Sequence, residues 1–575
     1  MDQRRVILAV FLMFLVAIVP PLLLRPKRPV GQASGKADSS VAVPAIADSA
    51  GTAPSAAAPS APARAAGSPS RPVPQTAPLP AETVWVSSPL YRYGFTSRGA
   101  RLVTAEIEQY KSFAPADSGR RVQLVRPDAP LLGLRVVVGN DTLSLADAAF
   151  TSDRKSLTVA SANATLTFTA AVGGGSVTVA YQFVPADYHF AVSGHIEGLG
   201  GNGGLLIVDL GQGLRSVEAE PVSDYREYAV VTKAEKTQKE AFASLDPGKS
   251  AVMDGPFEWV GVKSKYFFAA ILAPEQNARP FAGAVVTGEP RESLSVASLF
   301  GNRVSAFATR ASVVTTLALP PTGAFRYDMY LGPFEHRRLD QLGHGLDDAN
   351  PYGWSIFRPI IHPVSIFVVR VLFWMHEALH LAYGWVLIAF GILVRLLLWP
   401  LQKRAMESQM RMQAVQPLMQ EIQTRYKKDP ERLQQEMVKL YKEHKVNPFG
   451  GCLPMMLPMP VLLALFFVFS STIEFRGVPF LWLPDLSRAD PVYIIPVIMG
   501  LSMFAVSKIG QRGMPPNPQT KTFLYVMPAM MTFIFLRLAS GLNLYYAVQN
   551  LISLPQQWQI SKRRLAAQNK PAGGS

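Results

Sequence analysis

Residues 376–380 read His376-Glu377-Ala378-Leu379-His380. On a helix, this H-E-x-x-H spacing puts two imidazoles on one face for Zn²⁺ and leaves the glutamate as general base. An intramembrane metalloprotease would use it. Farther on, Arg395 stands alone in GILVRLLLWP (391–400), among leucines, valine, isoleucine and tryptophan. Its guanidinium cannot shed a proton and is among the costliest groups to place in hydrocarbon. Two readings stand side by side. Arg395 snorkels back to lipid headgroups, or it sits in a hydrated concavity and attracts anionic groups there. A third cluster, Asn543, Tyr545, Tyr546, Gln549 and Asn550, makes one stretch unusually polar for a bilayer helix, and such groups seldom face lipid. Ser470, Ser471 and Thr472 are weaker candidates, since hydroxyls can bond carbonyls of their own helix.

The zinc reading needs a third protein ligand, and no His or Asp in the later apolar runs supplies one. Trp374 and Trp385 flank the motif, and Pro359 and Pro363 interrupt the apolar run before it. That pattern describes a helix at 350–380 lying along a membrane surface, with His and Trp at headgroup level.

The elements around these residues follow from apolar run lengths. A helix needs about 20 mostly apolar residues to cross a bilayer. Val6–Leu24 is uncharged, Leu381–Leu401 carries only Arg395, and Gly450–Ile473 and Pro491–Ser507 are uncharged. Thr522–Ile560 is too long for one span, and Arg537 with Ser540-Gly541 divides it in two. The sum is six transmembrane helices. Helical rise of 1.5 Å per residue puts Arg395 about 9 Å inside the end of its span at Leu401. The 575 residues carry 56 Lys+Arg against 41 Asp+Glu, a net charge of +15. Such a balance permits a nucleic-acid partner, but the spans argue against one. The single Cys452 rules out an intramolecular disulfide.

Residues 1–24 read as an uncleaved anchor, since the apolar run is long for a signal peptide and RPKRP follows it. Residues 25–83, rich in Ala, Pro and Ser, form a tether unable to build a core. From 84 to 335 short alternating runs recur. Thr165 to Thr169 and Val177 to Phe183 alternate on either side of Gly173-Gly174-Gly175, a β-hairpin pattern. The expectation is an all-β sandwich in a single large domain. Residues 402–449 carry ten Lys/Arg, and the tail 561–575 is also basic, whereas the loop 474–490 balances Arg476 and Arg488 with acids. Basic connections stay in the cytoplasm, so both termini are inside and the β domain is outside. Within 402–449, Asp429-Pro430 marks a helix start. It separates a helix near 402–427 from one near 431–444, a hairpin carrying Met406, Met410, Lys427 and Lys428.

The run from YGWVLIAFGILVRLLLWPLQKRAM through NPFGGCLPMMLPMP, followed by FRGVPFLWLPDLSRADPVYIIPVIMG and ASGLNLYYAVQNLISLPQQWQI, resembles the core of the YidC-type membrane protein insertases. The likeness covers residues 350–560. It implies a five-helix core at 381–560 around a hydrophilic groove, and a periplasmic β-supersandwich without sugar activity. It also implies an inner-membrane insertase and chaperone that is no enzyme, uses no nucleotide or cofactor, and works alone or beside the Sec translocon. Nascent membrane proteins are the implied substrates. Anionic lipid and weak ribosome contact are further expected partners, with no direct nucleic-acid binding. On this likeness Arg395 is the groove arginine and Tyr546 the groove tyrosine. Met455, Met456 and Met459, with Met527 and Met530, offer flexible apolar surface to varied substrates. Two departures stand out: Pro458 replaces a glutamine, and Gly391 stands where some members have threonine. A secondary transporter would show internal repeats, and none is visible.

Overall fold

The structure, a computed structural model, describes residues 81–198, 203–297, 303–350, 352–353, 357–427, 429–444, 459–512 and 518–568. The expected anchor, nearly all of the tether, Lys428, Met455, Met456 and Pro458 lie outside these residues. The chain divides into two compact units. One runs to Leu331 without Lys265–Phe268; the other holds Lys265–Phe268 and everything from Gly332.

The first unit is all-β. Its strands lie between Thr83 and Pro333 and form sheets of five, nine, six and two strands. The hairpin read from alternation is present. Strands Ala164–Val172 and Gly175–Phe183 pair antiparallel, with Val172 opposite Gly175. Gly173 and Gly174 take φ of +61° and +85° to make the two-residue turn, a conformation that suits the twist of the flanking strands and favours glycine. The inward positions are aromatic. Tyr91 and Tyr93 stack at 4.0 Å, and Phe95 meets Tyr181 at 4.5 Å. The Tyr93 and Tyr181 hydroxyls donate to the carbonyls of Leu331 and Ala100, so burial leaves these phenols satisfied.

The second unit is helical: α1 (Arg358–Leu379), α2 (Tyr383–Ala414), α3 (Gln416–Arg425), α4 (Pro430–Glu443), α5 (Met459–Ser471), α6 (Ile494–Gly510), α7 (Pro518–Phe535) and α8 (Ser540–Gln568). Two differences from the sequence reading concern α1 and α2. The helix expected at 350–380 is present as one continuous helix of 22 residues, about 33 Å long, longer than the interrupted apolar run suggested. Pro359 occupies its first turn, where no amide hydrogen is needed, and Pro363 removes a single bond near the start. Ile361, Ser365, Val368, Leu372 and Met375 are buried, while Ile360, Phe367 and Trp374 are exposed. Arg358–Leu379 and Tyr383–Gln402 are each long and apolar enough to cross a membrane, and Met459–Ser471, Ile494–Gly510 and Leu524–Phe535 are shorter apolar helices. The count of six spans therefore stays an expectation.

The helix expected to begin near 402 is also not separate. α2 continues through Pro400 to Ala414, and the break comes at Val415, just before Pro417. After that break, α3 and α4 form the hairpin. Asp429 caps α4 by accepting the Arg432 amide at 3.1 Å, and Pro430 is its first residue. The long apolar run 522–560 does split, at Leu536–Ala539. α8 then continues to Gln568, so the first residues of the basic tail are helical.

Candidate functional site

α8 is the element that gathers the polar side chains, and it packs against both α2 and α6. Gly391 and Arg395 are one turn apart on α2 and share its face toward α8. Their neighbours Ile392, Leu393, Leu396 and Leu397 point outward and are exposed. Gly391 permits the close approach, because a Cβ there would lie 3.2 Å from Val548 Cγ1 and 3.8 Å from Gln549 Nε2. Gln549 uses the space and donates to the Gly391 carbonyl at 2.6 Å. The hydroxyl that Gly391 lacks is thus replaced by an amide reaching over from α8.

One turn farther along α2, Arg395 Nη2 donates to Gln556 Oε1 at 2.5 Å. Arg395 is half-buried, its Nε is buried without a partner among the described residues, and Gln556 is 5% exposed. The arginine therefore points into the helical unit, toward an amide on α8. Asn550 Nδ2 donates to Ser502 Oγ on α6 at 3.2 Å, so adjacent residues of α8 hold α2 and α6 respectively.

Other expected groove residues have different places. The Tyr546 ring lies against Phe535 at 5.6 Å, whereas the Tyr545 ring lies beside Gly391 and Phe390. The tyrosine adjoining the arginine's helix is Tyr545. Asn543 is fully buried and donates to the carbonyls of Phe535 and Leu538. It satisfies the frayed end of α7. Ser470 and Ser471 donate to Phe466 and Phe467, four residues back on their own helix. Met459 is exposed, and Met527 and Met530 are half-buried on α7. For Met406 and Met410 only the helical backbone is described; Lys427 is exposed. Sequence reasoning passed over Gln556. Its one signal was a position two turns beyond Gln549 on the same face.

The H-E-x-x-H motif does not assemble a metal site. α1 ends at Leu379, and His380 follows with φ of +50°, so the second imidazole leaves the helical face that the motif requires. His376 Nδ1 lies 2.6 Å from the Leu381 carbonyl and its ring stacks on Tyr383 at 4.0 Å. Glu377 pairs with Arg337 at 2.9 Å. Among the described residues, no three His, Cys, Asp or Glu gather as metal ligands.

Residues 374–568 match the family described as 60Kd inner membrane protein, and residues 83–364 match the YidC periplasmic domain. A membrane protein insertase YidC from Oleidesulfovibrio alaskensis is 30% identical over 502 residues, covering 85% of this chain and 88% of that one. The chain belongs to the YidC membrane protein insertase family. A second YidC insertase, from Aromatoleum aromaticum, is 33% identical over 356 residues, covering 61% of this chain and 60% of its own. A crystal structure of an active YidC insertase with its first transmembrane domain resolved shares 17% identity, at a TM-score of 0.33, over 84% of this chain and 95% of that one. YidC family membership makes this an inner-membrane protein with a periplasmic domain. Its all-β unit falls within the YidC periplasmic match and α2 through α8 within the inner-membrane match.

Proposed function

We propose that the chain inserts membrane proteins into the bilayer and assists their folding, without nucleotide hydrolysis, alone or beside the Sec translocon. The supporting observation is the charge balance at Arg395. The cation points into the helical unit and is bonded to a neutral amide, so its positive charge stays available to a partner from outside. An acidic segment of a nascent membrane protein fits that need, and a low local dielectric strengthens its attraction. The exposed apolar residues of α2, α6 and α7 suit contact with lipid and with a substrate's apolar segment. The basic hairpin α3–α4 and the basic end of α8 suit anionic lipid on the cytoplasmic side, with the termini on that side and ribosome contact weak. Vesicles carrying only the purified protein, without nucleotide, should take up a small membrane protein with an acidic translocated tail into a protease-protected form. Uptake no greater than in empty vesicles contradicts the reading.

A further inference from the structure

Gln556 is not among the residues to which the insertase reading gives a role, yet it is the side chain that holds the Arg395 guanidinium. Two rungs join α2 to α8: Gln549 to the Gly391 carbonyl, and Arg395 to Gln556. The spacing is one turn on α2 and two turns on α8. The first rung is backbone-anchored and fixes the helix approach. The second joins two long side chains, and either can let go without moving a helix.

The chemistry of the second rung is informative. A buried arginine kept for stability alone is best matched by a carboxylate, because charge-assisted pairs are the stronger ones and an uncompensated buried charge is costly. Here the acceptor is an amide oxygen. It satisfies one N–H and cancels none of the charge, and Arg395 Nε remains without a partner among the described residues. Such a bond orients the guanidinium and yields to a carboxylate, which can take two N–H groups and the charge together.

We infer that Gln556 is a positioning residue for Arg395, holding its guanidinium toward α8 between substrates and giving it up to a substrate carboxylate during loading. The inference rests on the insertase reading. It assigns Gln556 specificity for acidic segments, because an acidic side chain in its place would occupy the arginine permanently.

The test uses full-length protein in vesicles with two substrates that differ only in an acidic or a neutral translocated tail. For Gln556→Glu, insertion of the acidic-tailed substrate should fall about tenfold at neutral pH, the effect of roughly one pK unit of added pairing. Acidification should not restore it, because the arginine-paired carboxyl takes up its proton only after the substrate's own acids have lost their charge. The neutral-tailed substrate should insert as with the wild-type chain, which also shows that the variant folds. Gln556→Leu should lower acidic-tailed insertion by only about threefold, since a loosened guanidinium loses orientation rather than charge. Wild-type insertion of both substrates by Gln556→Glu overturns the inference. So does an equal loss of both at every pH, which marks a merely structural residue. Failure of the wild-type chain to insert either substrate overturns instead the insertase reading.

Discussion

The two units of this chain each draw a cation away from water, Lys263 fully and Arg395 in part, and treat it differently. In the β unit, Lys263 is fully buried and lies 3.8 Å from Glu227. Burial pushes its pKa down to about 7, with Lys239 adding to the fall and Glu227 opposing it. In the helical unit, Arg395 cannot escape its charge by losing a proton, and its partner is the amide of Gln556. The lysine is matched by a carboxylate, whereas the arginine is left with charge to offer. The surfaces differ in the same sense. The β unit turns tyrosine and phenylalanine inward. The helical unit exposes Leu396, Leu397 and Trp399 and buries Asn543, Ser553, Gln556 and Ser561. The first pattern suits water, the second lipid.

A pair of matched substitutions tests that contrast most strongly. Val252 in the β unit is 68% exposed and Leu397 on α2 is 70% exposed. Val252→Asp should leave stability within about 0.5 kcal/mol, as at an ordinary wet surface. Leu397→Asp should cost up to about 3 kcal/mol of membrane integration, the figure for a charge at a helix centre, read as the fraction of protein resisting alkaline extraction from membranes. Equal tolerance at both sites would break the comparison.

Lys263 gives a smaller effect with a defined pH window. Its pKa drops from 10.5 to about 7 on folding. Below about 7 both states hold the proton and the burial penalty is fully present. Between there and 10.5 the unfolded chain binds more protons, so stability should rise with pH, at up to about 1.4 kcal/mol per pH unit. Urea unfolding of the β unit in the full-length protein at several pH values checks this, and Lys263→Met should flatten the rise. The opposite sign is expected at Glu474, in the short helical turn after α5. Burial raises its carboxyl to about 7, so its contribution declines as pH climbs from 4.5 toward 7. Least of all, Asp429→Ala should remove about 1 kcal/mol from α4 by deleting its cap, seen as faster amide exchange in its first turn.

What could be read in advance was local. The Gly173-Gly174 turn, the Asp429-Pro430 helix start and the split near Ser540 all follow from a few adjacent residues. What could not be read depends on partners far along the chain. Pro363 looked like an interruption, yet α1 runs through it because one lost hydrogen bond is small beside a helix packed along its length. Asn543 looked like a groove residue by polarity, and its use in closing the α7–α8 turn shows only when the carbonyls of Phe535 and Leu538 are in place. Gln556 lies 161 residues from Arg395, and no periodicity links them. Gly391 looked like a lost hydroxyl until the Gln549 amide was seen to fill its place.

The central claim is that Arg395 serves as an attractor for acidic segments rather than as a snorkelling anchor. Arg395→Ala and Arg395→Lys, each reconstituted in vesicles with acidic-tailed and neutral-tailed versions of one substrate, measure it directly. The account predicts that alanine lowers acidic-tailed insertion about tenfold, the effect of roughly one pK unit of lost pairing. Lysine should restore part of that, and the neutral-tailed version should change little. Full insertion of the acidic-tailed substrate by Arg395→Ala would contradict it.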